Sequence, residues 1–260
     1  RPFAALLTEL GRHEEAAQVF ARIAKLSADD PGAQLALGRA HAEAGAWEPA
    51  REAFRAAAKV AGDRAEIQRE LARANVALGD HEEAALSFKR LLSLASHDPD
   101  ALAGLGAAHL ALGRASDAVD PLSKAVGQWP EDATLCAQLG GALFALGRVE
   151  SAIPHLAKAA ELSPRDADAL LTLGRAQADK GDHAQAVNAL KRATEVAPAR
   201  LDAQRALGAS AAALDQHEVA AAAWTTVTKA AADDADAWVA LSSARLALQD
   251  PVRAAEALRE

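Results

Sequence analysis

The stretch LGAAHLALGRASDAVDPL, residues 105–122, decides the fold. Its landmarks are Leu105, the small Gly106, Gly113, Ala118 and Leu122, and they return every 34 residues in both directions. Gly113 shares its place with Gly11, Gly45, Gly79, Gly147 and Gly181, followed by Asp215 and Gln249. Five residues after each stands an alanine: Ala16, Ala50, Ala84, Ala118, Ala152, Ala186, Ala220 and Ala254. Eight residues before each is a large apolar residue: Phe3, Leu37, Leu71, Leu105, Leu139, Leu173, Leu207 and Leu241. The next residue is always small, from Ala4 and Gly38 to Gly208 and Ser242. Four residues after each alanine come Phe20, Phe54, Phe88, Leu122, Leu156, Leu190, Trp224 and Leu258. A period of this length kept without slippage means a stack of small supersecondary units. It moves the functional expectation from catalysis towards partner binding.

Each period is expected to hold two antiparallel helices. Glycine ends the first, because it tolerates the left-handed conformation at a helix C-terminus. The second begins near Glu14, Glu48, Glu82 and Asp117, acidic residues suited to the positive end of a helix. Ala84 and its equivalents mark the helix crossing. Phe88, Leu91 and Leu94 predict an apolar stripe along the second helix. Pro121 and Pro154 fall after the start of their second helices and predict local bends. Asp98, Asp100, Asp132, Asp166, Asp168, Asp234 and Asp236 gather between units, where they would cap the next first helix. The other reading is a ladder of cation sites, although the spacing lacks the dense oxygen ligands of calcium loops.

Pro130, Pro164 and Pro198 close three of the units. The whole chain resembles the tetratricopeptide repeat: Leu-Gly, then Gly, then Ala, then an aromatic residue or leucine, then Pro, in 34 residues. Ala28, Gly62, Ser96 and Ala232 depart from the closing proline, and the chain has no tyrosine. The resemblance implies an all-α fold, a right-handed α-solenoid of antiparallel helix pairs whose first helices line a concave groove. One array would run through residues 1–260. It would have full units at 31–64, 65–98, 99–132, 133–166, 167–200 and 201–234, with partial units at 1–30 and 235–260. The chain opens without Met and inside a unit, which reads as a piece of a longer array.

The net charge of -8 and a pI near 5.5 argue against nucleic-acid binding. The single Cys136 excludes an internal disulfide and a cysteine metal site. No apolar run is long enough for a membrane-spanning helix. No leader is visible, and the expected compartment is the cytoplasm. The alanine-rich, lysine-poor composition suggests a GC-rich bacterial source.

The chemistry-bearing residues do not converge. His13, His81, His183 and His217 share one register place, about 10 Å apart in adjacent units, too far for shared zinc ligation. His41 and His109 share another place two units apart, and His97 and His155 are isolated. His81-Glu82-Glu83 lacks the second histidine of a zincin, and there is no phosphate loop or nucleophile elbow. Cys136 reads as a small core residue. The expectation is a chain with no catalytic residues, metal or cofactor.

The groove offers more. Residues two before and two after the register leucine, and one turn further on, are expected to face it. Ala103, Ala107, Leu110, Ala137, Gly141 and Phe144 make its middle smooth and apolar. Arg39, Arg69, Arg73 and Val76 flank it on one side and Leu171, Arg175 and Arg205 on the other. Arginines grip carboxylates bidentately, which suits an amphipathic or extended partner segment with acidic residues. A small GTPase-like domain is the other partner considered. The competing reading has these arginines solvated and paired with Glu43, Glu66, Glu70 and Asp202. Asn75 and Asn188 are the only asparagines, too few for the family's carboxylate clamp or asparagine ladder. The leading expectation is an adaptor in a bacterial assembly, polarity, motility or secretion complex. A self-associating array, monomeric or joined weakly end to end, and a recruiting arm of an enzyme outside this chain are the alternatives.

Overall fold

The computed structural model describes residues 2–27, 29–257 and 259. Ala28 and Leu258, both part of the register, lie outside the described residues. The chain divides into two compact units, Arg1–Gln128 and Trp129–Glu260. The first holds α1 (Pro2–Glu9), α2 (His13–Leu26), α3 (Pro31–Glu43), α4 (Trp47–Ala61), α5 (Ala65–Ala77), α6 (His81–Leu94), α7 (Pro99–Ala111) and α8 (Ala115–Gln128). The second holds α9 (Ala133–Ala145), α10 (Val149–Leu162), α11 (Ala167–Asp179), α12 (His183–Val196), α13 (Leu201–Ala212), α14 (His217–Ala230), α15 (Ala235–Ala247) and α16 (Pro251–Ala257). Within each, consecutive helices pack pairwise, odd against even.

The turn glycines do what their spacing predicts. Gly113 has φ +69°, and the other five register glycines are also left-handed. Beyond Gly113, the Arg114 N–H donates to the His109 carbonyl at 2.8 Å, a bond that recurs at all eight turns. It closes the last helical turn by satisfying a carbonyl the helix leaves open. Asp215 and Gln249 keep the same conformation, with φ 56° and 59°. A side chain there costs about 1–2 kcal/mol. Asp215→Gly should therefore raise stability by about 0.5–1 kcal/mol, read as a higher urea midpoint; an unchanged or lower midpoint would contradict this.

Every register alanine is buried. The small residue beside the register leucine serves close approach. A Cβ added at Gly106 would lie 2.4 Å from Leu122 Cγ, so α7 and α8 touch where glycine leaves room. The aspartates cap: Asp98 accepts from the Ala101 N–H at 2.9 Å, and Asp132, Asp166 and Asp234 do likewise for α9, α11 and α15. Cys136 has a local role that its three counterparts explain. Gln68, Cys136, Gln204 and Trp238 share one register place, and each donates to the carbonyl six residues earlier: Gly62, Pro130, Pro198 and Ala232. These bonds clip the inter-unit turn to the helix that follows. Burial pushes the Cys136 thiol pKa up.

One expectation needs adjusting. Leu94 is 44% exposed, so the stripe of α6 ends at Leu91. It is the last residue of its helix. Pro121 and Pro154 sit inside continuous helices, in the second turn of each, where proline removes a backbone donor of the helical ladder.

Candidate functional site

In the first unit, α5 and α7 stand side by side and leave a cleft of about 360 Å³. Arg73, Val76 and Ala77 form one wall, and Gly104, Ala107 and Ala108 the other. Phe88 of α6 is its floor, and Trp47 and His81 close it at one end. Gly104 is what opens it. A Cβ there would lie 2.2 Å from Phe88 Cζ, so the ring presses against the bare backbone of α7. Glycine at this register place occurs in no other unit, where Ala36, Glu70, Gln138, Thr172, Ala206 and Ala240 stand. Small Ala107 and Ala108 keep the rest of that wall low. Val76, 45% exposed, offers a solvent-facing apolar rim. A predominantly apolar concavity with one charged group at its edge is suited to apolar side chains of a docked segment.

Of the residues expected in the groove, this cleft brings together Arg73, Val76 and Ala107. Leu110 lies half-buried one turn further along α7. Arg39 borders a comparable cleft between α1 and α3. In the second unit, Gly141 and Phe144 are half-buried on α9, with open space beside Gly141. Leu171 departs from the surface reading: it is 2% exposed. Its register place, two before the leucine, faces the seam between successive repeats. Leu35 at the same place is also buried. An arginine there reaches forward to the next cap: Arg69 to Asp98 and Arg205 to Asp234.

All five arginines are engaged. Arg39 Nε donates to Glu70 Oε1 at 2.8 Å and its Nη2 to Glu66 at 2.6 Å. Arg73 Nη1 donates to the other Glu70 oxygen at 3.1 Å. Arg175 lies 3.7 Å from Asp202, which Arg200 also holds at 3.0 Å. The pairing with Glu66, Glu70 and Asp202 is thus realised, while Glu43 is not among these partners. Arg73 keeps the most freedom at the cleft, its side chain 56% exposed.

Asp234 carries a testable electrostatic consequence. The Ala237 N–H and the Arg205 guanidinium hold its carboxyl below the usual range. The folded state therefore favours the ionised form. Its contribution is present above about pH 4 and is lost as pH falls through the lowered pKa. Asp234→Asn keeps a capping oxygen but removes the charge. The melting temperature of the variant should fall below wild type at pH 7 and converge with it in acid; a gap that persists in acid would contradict this.

Asn75 is fully buried and donates to Ser87 Oγ at 3.4 Å. His13, His81, His183 and His217 each open a second helix. Burial lowers the His109 pKa. Trp47, His81, Phe88 and Gly104 were not foreseen as cleft residues. The one signal in the sequence was the off-register glycine at 104.

Comparison with known proteins agrees with this architecture. The tetratricopeptide repeat family profile matches residues 7–74 and 143–211, and a second profile of the same description matches 69–133. The chain belongs to the tetratricopeptide repeat family. Proteins of this family mediate protein–protein interactions and are generally non-catalytic. Among solved structures, YrrB, described as a TPR protein with an unusual peptide-binding site, superposes with a TM-score of 0.66 at 22% identity. That match covers 73% of this chain and 98% of YrrB. The C-terminal part of a TPR repeat-containing protein from Cytophaga hutchinsonii gives 0.69 at 17% identity, covering 92% of this chain and 98% of that one. MamA from Desulfovibrio magneticus RS-1 gives 0.58 at 22% identity, covering 71% and 96%. The curated proteins gave no match. Among the described residues, no helix is long and apolar enough to cross a membrane.

Proposed function

We propose that this chain is a non-catalytic docking scaffold that seats a segment of a partner protein in the α5/α7 cleft. The observation that carries the reading is the apolar cavity over Phe88, opened by Gly104 and bordered by Arg73. The peptide-binding site ascribed to YrrB supports it as a family precedent. A segment fits better than a folded GTPase-like domain, because the cleft is a narrow apolar concavity between two helices that can take in apolar side chains. An apolar residue of the partner enters the cleft, and an acidic neighbour meets Arg73. The setting suggested by composition is the cytoplasm of a bacterium, in an assembly, polarity, motility or secretion complex.

The test is affinity capture from a lysate of the source cells. Wild type and Val76→Glu/Ala107→Glu are compared after circular dichroism shows both folded. A partner held by wild type and lost by the variant supports docking in the cleft. A partner held equally by both rejects it.

A self-associating array is the second reading. Phe3, Leu6, Leu10 and Leu26 are each exposed, on α1, its following turn and α2. It predicts a mass that grows with concentration in sedimentation; a constant monomer mass rejects it.

A further inference from the structure

The α5/α7 cleft has a counterpart two repeats earlier. A second cavity of about 360 Å³ lies between α1 and α3, over Phe20. Shifted by 68 residues, its wall residues Ala5, Thr8, Ala36 and Ala40 become Arg73, Val76, Gly104 and Ala108, and its floor becomes Phe88. Both clefts belong to the first unit.

The intervening place, between α3 and α5, is closed by charge. Glu70 stands where Ala36 and Gly104 stand in the open clefts. It is buried and held by Arg39 and Arg73. A carboxylate so held cannot yield its place to an apolar side chain without leaving charges unpaired, which is strongly unfavourable. Open, closed, open is therefore the order along α1, α3, α5 and α7.

The two open clefts carry opposite rims. Glu9 and Glu43 are exposed at the α1/α3 cleft, and neither pairs with a cation among the described residues. Arg39 lies there too, but it pairs with Glu66, and it shares Glu70 with Arg73. At the α5/α7 cleft the bordering charge is Arg73, whose guanidinium has further donors beyond the one on Glu70.

Resting on the docking reading above, we infer that the ligand is an extended peptide with two apolar anchors, a basic residue beside the one in the α1/α3 cleft and an acidic residue beside the one in the α5/α7 cleft. Neighbouring first helices pack about 10 Å apart, so the clefts lie roughly 20 Å from each other. An extended chain rises about 3.3 Å per residue, which sets the anchors about six residues apart. The residues between them cross over the Glu70 cluster. The opposed rim charges fix the direction of the chain, because the reversed arrangement places like charges together.

A phage-displayed library of random 16-residue peptides, panned on the purified chain, tests this. The enriched peptides should carry two apolar positions about six apart, with Lys or Arg near one and Asp or Glu near the other. Fluorescence anisotropy with a synthetic enriched peptide should show binding at least 10-fold weaker for Glu9→Lys/Glu43→Lys, and likewise for Arg73→Glu. Exchanging the two charged residues of the peptide should weaken binding to wild type by a similar factor. These substitutions fall on exposed side chains, and circular dichroism checks that the variants fold. Single-anchor peptides sensitive to Val76→Glu/Ala107→Glu but indifferent to Glu9→Lys/Glu43→Lys would overturn the two-cleft inference and leave the docking reading standing. No enrichment, or peptides indifferent to the variants of both clefts, would overturn the docking reading and this inference with it.

Discussion

Phe54→Ala should destabilise the chain by about 3–5 kcal/mol, the range for removing a fully buried aromatic side chain. Phe54 has no exposed surface and packs among Leu35, Ala50, Ala57, Ile67, Leu71 and Ala74. Its ring also lies against Gly38, where an added Cβ would come within 2.4 Å of Cε1. The surroundings cannot collapse into the space, because alanines supply much of the wall and helix backbones stand behind them. The substitution therefore loses the transfer free energy of the ring and leaves a cavity. In a repeat array, stability is a sum of unit and interface terms, so the loss should fall first on neighbouring helices. Hydrogen exchange should rise in α3, α4 and α5 before it rises in α7 and α8. A loss under about 1 kcal/mol by urea denaturation would show that the ring is not the centre of that repeat.

Ala118→Leu should destabilise by about 1–3 kcal/mol, for the opposite reason. Ala118 is fully buried on α8, four residues before Leu122, which already fills the space beside Gly106. Three extra heavy atoms have no void to enter, so the axes of α7 and α8 must separate. That separation would disturb the contact that Gly106 exists to permit. Both substitutions leave charge unchanged, so their effects report packing alone. An unchanged melting temperature for Ala118→Leu would mean that the register alanine does not mark the helix crossing.

The repeat makes most of the fold legible in the sequence. The six glycines announced left-handed turns, and the register carried the same conformation to Asp215 and Gln249, where residue type alone argues against it. The aspartates announced caps because capping is a local interaction, readable from a few neighbouring residues. The candidate site was legible only in part. Periodicity tells which face a residue takes, and so assigns Arg73, Val76 and Ala107 to one expected groove; that they line a single cleft is seen only in the structure. It does not tell what a long side chain reaches across a repeat. The partners of Arg69 and Arg205 lie 29 residues away, and their place faces the seam, which is why Leu171 is buried there. The depth of the cleft depended on a glycine outside the repeated pattern, Gly104, whose meaning appears only when the Phe88 ring is seen against it.

The central claim is that a partner segment docks between α5 and α7. Hydrogen exchange by mass spectrometry, on the chain alone and with its captured partner, tests it most directly. The account predicts new protection around Arg73–Ala77 on α5 and Gly104–Ala108 on α7. Protection confined to the second helices, with α5 and α7 exchanging as in the free chain, would contradict it.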